Sequence, residues 1–255
     1  KQVKIMYIDT HCHLSLEEDI QDVMKRCKEA KVNQIIISGC DFESIPESIK
    51  IAHDMQDIYL ALGFHPETAS EVTKKDLEML KDEIQSNPKL VAIGEIGLDF
   101  HYGRENEKEQ IELFRTQLSL ASEYQLPVVI HTRDAIELTY QILKEYDVKG
   151  VIHCYSGSLE MAKKFIDLGY CLGIGGVLTF KNCKLKETLK QIPLSSLVLE
   201  TDSPYLTPVP YRGKPNHPYY VPYVAQALAE IYQIPTEEVA RITSATARRI
   251  FDRMK

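Results

Sequence analysis

The stretch Tyr7-Ile8-Asp9-Thr10-His11-Cys12-His13-Leu14 is a short apolar run that ends in two histidines one residue apart. Side chains along a strand alternate faces, so His11 and His13 share a face if the strand continues to residue 13. Two imidazoles on one face at a strand end are a candidate metal-binding pair. Cys12 points the other way, toward packing helices, and is assigned no chemistry.

Further β-rich runs bounded by turn residues follow. With residues 5–9 as the first, they fall at 34–38, 58–62, 90–94, 127–131, 150–153, 170–174 and 197–200. Between them lie stretches such as "LEEDIQDVMKRCKEA", "KKDLEMLKDEIQ", "EKEQIELFRTQLSLASEY" and "SLEMAKKFIDLG", with apolar residues at three- and four-residue steps. Ser15, Ser158 and Thr236 stand where helix caps are expected. Eight strand–helix units predict parallel strands with right-handed crossovers closing into a (β/α)8 TIM barrel of the α/β class. A doubly wound open sheet competes, but no G-x-G-x-x-G follows the first strand. A length of 255 residues suits one such barrel, so residues 1–255 are expected to form one domain, the last two helices completing its outer ring. Met6, just ahead of the histidine pair, suggests that residues 1–5 are a non-native leader.

Composition narrows the function. Hydrophobic content of 44% and charged content of 26% describe an ordinary globular chain. No apolar run approaches the ~18 residues of a membrane span, and no secretory signal opens the chain. The six cysteines form no C-x-x-C pair, which fits reduced thiols in the cytoplasm. A net charge of −7 argues against a protein that coats nucleic acid with a basic surface. Bound cations can still attract phosphates locally. Neither a P-loop nor a G-x-S-x-G elbow is present.

Polar residues gather where the strands end. They are His11 and His13, His65, Glu95 and Asp99, His131, His153, and finally Glu200 and Asp202. Catalytic residues of such barrels lie at these C-terminal strand ends. Any one histidine there is ordinarily a hydrogen-bonded loop residue. Together they would form a costly polar cluster, which metal coordination satisfies. Six ligands oversupply one ion but suit two that share a carboxylate. His11, His13 and Asp202 are placed on one ion and His131 and His153 on the other, with Glu95 bridging. Imidazole and carboxylate ligands admit Zn, Mn, Fe, Ni or Mg.

The segments "DTHCHL", "GFHPE", "GEIGLDF", "VIHTRD", "HCYSGS" and "ETDSPYL" resemble, in order, the signatures of the TatD family of metal-dependent deoxyribonucleases. The resemblance runs through "YRGKPNHP" and implies an amidohydrolase-like barrel with a two-metal site. It places His11, His13, Glu95, His131, His153 and Asp202 at the family's ligand positions. It further implies DNA phosphodiester hydrolysis, commonly 3′ to 5′ exonucleolytic, with single-stranded or 3′ ends as substrate; the lack of a long apolar run gives no membrane partner, and no obligatory protein partner is evident in the sequence. In that scheme Asp202 is the general base or orienter of a two-metal-activated water, and Glu95 the bridging carboxylate. His65, Arg133, Arg212 and Lys214 are candidate substrate contacts. Each also has a bland reading as a structural histidine or solvated charge. Glycines 173, 175 and 176 either let backbone approach a phosphate or make a turn. Asp99 either orients an imidazole or pairs with Arg104. Two segments depart from the family's pattern: Pro215 and His217 replace a basic and an acidic residue, and Thr246 stands where Asn is common. The rival chemistry is metal-dependent hydrolysis of an amide, lactone or ester, including D-aminoacyl-tRNA. The absence of a bridging-lysine position disfavours the cyclic-amide branch. A metal-stabilised binding protein without turnover is the rival from another class.

Overall fold

The structure, a computed structural model, describes residues 6–254; the expected leader lies outside the described residues. Eight strands alternate with helices: β1 (Tyr7–Cys12), β2 (Val32–Gly39), β3 (Ile58–Leu62), β4 (Leu90–Asp99), β5 (Val128–Arg133), β6 (Gly150–Ile152), β7 (Cys171–Ile174) and β8 (Leu197–Leu199). The helices are α1 (Ile20–Glu29), α2 (Ser44–His53), α3 (Lys74–Ser86), α4 (Glu107–Tyr124), α5 (Ile136–Leu143), α6 (Leu159–Asp167), α7 (Leu185–Leu189), α8 (Val221–Tyr232) and α9 (Thr236–Ile250). Each strand pairs in parallel with the next, from β1 to β8. This is the expected TIM barrel. No helix among the described residues is long and apolar enough to cross a membrane.

The alternation of β-branched residues builds two layers. Ile36 of β2 points inward with Ile8, Val91, Val129, Val151 and Val198, and Phe251 beyond α9 packs with them. Ile35 and Ile37 face outward against the helices. At the seam between β8 and β1, side chains supplement the ladder. Thr10 Oγ1 donates to Leu199 O at 2.8 Å, and buried Asp9 accepts from Thr201 N at 3.0 Å and Thr201 Oγ1 at 2.5 Å. Two backbone bonds continue beyond: Asp202 N to His11 O at 2.9 Å and His13 N to Ser203 O at 2.8 Å.

Several element ends differ from the sequence reading. β1 reaches Cys12 instead of residue 9, and β4 reaches Asp99 instead of residue 94. Both carry a register irregularity, between Asp9 and Cys12 and between Gly94 and Ile96. Such bulges re-aim side chains beside sites. Here Ile93 and Ile96 both face the helices although three residues apart, which frees Glu95 to point inward. Ser158 caps α6 as expected, its Oγ accepting from Met161 N at 3.2 Å. Ser15 does not cap α1: it lies in a turn, and Asp19 is the cap. Pro235 takes the position before α9, so Thr236 is its first residue.

Candidate metal centre

β1 does not extend to residue 13, yet His13 reaches the same space as His11 because its N–H is held by Ser203 O. The two rings lie 5.0 Å apart, and Cys12 packs outward with its Sγ 3.5 Å from Ile36 O. From β4, buried Glu95 enters the same space. Its two oxygens face different groups of imidazoles. Oε2 lies 3.4 Å from His11 Nε2 and 4.0 Å from His13 Nε2. Oε1 lies 2.7 Å from His131 Nδ1, 3.4 Å from His153 Nε2 and 3.8 Å from His65 Nε2. Asp202 closes the first group, with Oδ1 3.3 Å from His11 and 3.4 Å from His13. All six residues read from the sequence as ligands converge at the C-terminal end of the barrel.

Three ligand sets within this cluster are close enough to hold an ion: His11, His13 and Glu95; His11, His153 and Asp202; His65, Glu95 and His131. The third includes His65, which the sequence suggested only as a substrate contact. The donor set fits a cation on a further observation. Both ring nitrogens of His11 are buried and hydrogen-bonded to nothing, a costly arrangement for polar atoms that face two carboxylates.

Behind the imidazoles stand groups that orient them. His13 Nδ1 lies 3.3 Å from Ser38 O, leaving Nε2 toward the centre. Asp99 Oδ2 lies 2.8 Å from His131 Nε2, while Arg104 pairs with Glu107, so Asp99 is an orienting carboxylate. Glu200 Oε1 lies 3.2 Å from His153 Nδ1 and accepts from Cys154 N at 2.6 Å. Glu200 was visible at a strand end, but nothing in the sequence gave it this role. Gly173 makes it possible: a Cβ there would sit 2.2 Å from Glu200 Oε2. Gly97, with φ of +148°, lets β4 approach β5, since its Cβ would meet His131 O at 1.9 Å.

Charge follows this geometry. Burial alone would raise the Glu95 carboxyl, but the surrounding imidazoles, His153 foremost, hold it well below the usual carboxylate range. Burial would lower His131, yet Asp99 and Glu95 push it up to about 9. Burial drives His65 down to about 4 against the pull of Glu95. Asp202 stays low despite burial, through the His11 and His13 imidazoles beside it.

The centre opens into a cleft of about 820 Å³. Glu18, Asp41, Glu47, Glu67, Glu95, Asp99 and Asp202 line it, against one arginine, Arg133. Arg212 and Lys214 lie elsewhere. Arg212 stacks 3.9 Å over Phe180, and neither lines the cleft. Their loop serves the site through Asn216, whose Nδ2 donates to Thr201 O at 2.9 Å and Tyr205 O at 2.7 Å, clamping the Asp202 turn. His217 stacks on Tyr219, and Thr246 donates to Ser195 O at 3.1 Å, far from the imidazoles. Gly176 makes a turn: a Cβ there would meet Leu206 O at 2.1 Å.

Residues 8–252 match the family model described as TatD related DNase. YabD of Bacillus subtilis (strain 168), described as an uncharacterized metal-dependent hydrolase, is 43% identical over 96% of this chain and 99% of its own. The crystal structure of YjjV, a TatD homologue from Escherichia coli K12, superposes with a TM-score of 0.92 at 33% identity, covering 98% of this chain and 99% of that one. A TatD-family hydrolase from Entamoeba histolytica shares the fold with a TM-score of 0.85 at 24% identity and 96% and 98% coverage. The chain belongs to the TatD-related DNase family and is a metal-dependent hydrolase.

Proposed function

We propose that the chain hydrolyses DNA phosphodiester bonds, as a cytoplasmic 3′ to 5′ exodeoxyribonuclease acting on single-stranded or 3′ ends. The observation that supports it most is Glu95, whose two oxygens face separate imidazole groups in a member of a family described as DNases. His11, His13 and Asp202 would hold one divalent ion and His131 and His153 the other, with Glu95 bridging. Bound there, Mg, Mn, Zn or Ni ions would supply Lewis-acid charge to the phosphate and lower the pKa of the attacking water.

The chain's own residues do the rest. Glu200 and Asp99 fix the ring orientation of His153 and His131. Asp202, ionised and held on a clamped turn, orients the attacking water and accepts its proton at a carboxylate oxygen. Arg133 is the one fixed cation of the cleft positioned to bind a substrate phosphate. His65, kept neutral by burial, stands beside Glu95 Oε1 either as a further ligand or against the leaving oxygen.

Metal-stripped protein refilled with Mg²⁺, Mn²⁺ or Zn²⁺ would be assayed on 3′-labelled and 5′-labelled single-stranded DNA beside Asp202→Asn. Stepwise loss from the 3′ end, abolished in the variant, is the expected result. No cleavage with any ion that both proteins bind would overturn it. The acidic wall formed by Glu18, Asp41, Glu47 and Glu67 favours one second reading, hydrolysis of an ester that carries a neighbouring cation, such as the α-ammonium of D-aminoacyl-tRNA. Release of the amino acid from that substrate would identify it.

A further inference from the structure

Tyr102 and Tyr205 are 77% and 62% exposed, the most exposed large hydrophobic side chains among the described residues. Of the five such side chains, only these two line the metal cleft; Leu16, Phe42 and Val209 do not. Exposing a ring in an acid-walled cleft gains nothing for folding, so these positions call for a ligand.

The backbone beneath each ring is tied to the site. Tyr205 N donates to Asp202 O at 2.9 Å, and Asn216 grips its carbonyl, so its backbone belongs to the Asp202 turn. Its centroid lies 6.1 Å from that of His13. Tyr102 stands beyond the end of β4, where His101 N donates to Asp99 Oδ1 at 2.9 Å. The Arg133 guanidinium lies 5.7 Å over its ring. Arg133 has no carboxylate within ion-pair distance among the described residues, because neighbouring Asp134 pairs with His101 at 3.0 Å instead. Its charge is therefore available to a ligand.

With seven carboxylates and one arginine on its walls, the cleft cannot draw a nucleic-acid backbone by fixed positive charge. Beyond what Arg133 and bound ions hold, affinity has to come from the bases, whose π-faces any aromatic ring accepts regardless of sequence. We infer that Tyr102 and Tyr205 are stacking platforms for the unpaired bases flanking the scissile phosphate, with Arg133 holding the phosphate next to it. This assignment rests on the nuclease reading. It makes the two tyrosines determinants of affinity for unpaired nucleotides, one anchored to the Asp202 turn and one to the Asp99 side of the cleft.

The test uses metal-loaded enzyme and two oligonucleotides of one length. One is intact; the other carries abasic residues at the two positions of the digested end. Tyr102→Ala and Tyr205→Ala should each raise KM on the intact strand roughly five- to a hundred-fold, with kcat changed far less. Phe at either position should restore KM. On the abasic end the parent should already show the raised KM, and the alanine penalty should shrink to within about twofold, as coupled groups require. Parent and alanine variants with equal KM on both strands would overturn the stacking assignment while leaving the nuclease reading intact. Failure of the parent to cleave either strand would overturn the nuclease reading, and the platforms with it.

Discussion

Glu200 holds His153 from behind, and it does so only because Gly173 leaves room for its carboxylate. Gly173→Ala would drive a methyl into Glu200 Oε2 and turn His153 off the centre. Metal affinity should fall about 10- to 100-fold, as for lost partners of ligating histidines, read by calorimetric titration with Zn²⁺. Unchanged affinity would mean that Glu200 does not set the ring. Asp9 poses a different question, since burial pushes its carboxyl up to about 8. The folded chain then holds a proton that the unfolded chain releases near 3.8. Stability from this group is complete below the lower value and is lost as pH rises toward the higher, by up to about 1.4 kcal/mol per pH unit. Asp9→Asn keeps an acceptor for Thr201 N and has no charge to acquire. In metal-free protein it should match the parent near pH 4 and gain on it steadily to pH 8 in urea unfolding. A difference that stays flat with pH would show that Asp9 is ionised in the fold. The convergence of the candidate ligands was legible in the sequence, because strand ends in a parallel barrel face one side and an unpaired imidazole cluster there is costly. The orienting roles were not, because Asp99 and Glu200 act across neighbouring strands and no local pattern records which imidazole each meets.

At the scale of elements, the segment after β8 is the least like its sequence reading. Its Arg212 and Lys214 suggested a phosphate loop, but the chain turns so that Arg212 covers Phe180 and Asn216 bonds the Asp202 turn. Local sequence gives the charges of such a loop and not its path. Asn216→Ala would leave the carbonyls of Thr201 and Tyr205 unmatched. It should cost about 1–3 kcal/mol per buried group left without a partner and weaken metal binding through Asp202. Thermal unfolding with and without Mn²⁺ measures both; loss of stability alone, with full metal affinity, would separate Asn216 from the site. The strands themselves were located correctly by β-rich composition. Their ends at residues 12 and 99 were missed because a bulge interrupts the alternation that marks a strand. Those bulges aim Glu95, so the legible pattern fails where the chemistry is built.

The whole molecule carries a net charge of −7, and its cleft adds an acidic wall around the candidate ligands. A nuclease that tracks its substrate by neutralising phosphates loses affinity steeply with salt, about 10³–10⁵-fold between 50 and 200 mM for six to ten contacts. Here the fixed cation is Arg133, joined by whatever charge the bound ions leave uncompensated by Glu95 and Asp202. Counting about two phosphate contacts and a slope of about −0.7 per contact for single strands, KM should rise less than about tenfold over that range. Screening of the wall formed by Glu18, Asp41, Glu47 and Glu67 works in the opposite sense and flattens the curve further. Charge reversal at Arg133→Glu should raise KM and remove most of the remaining slope, whereas Lys214→Glu, outside the cleft, should leave both near the parent values. Initial rates on a single-stranded oligonucleotide at fixed Mg²⁺ across a KCl series give the slope directly. A steep slope that Lys214→Glu reduced and Arg133→Glu did not would place the backbone path over the loop after β8 and away from the cleft, reversing the assignment made from their positions.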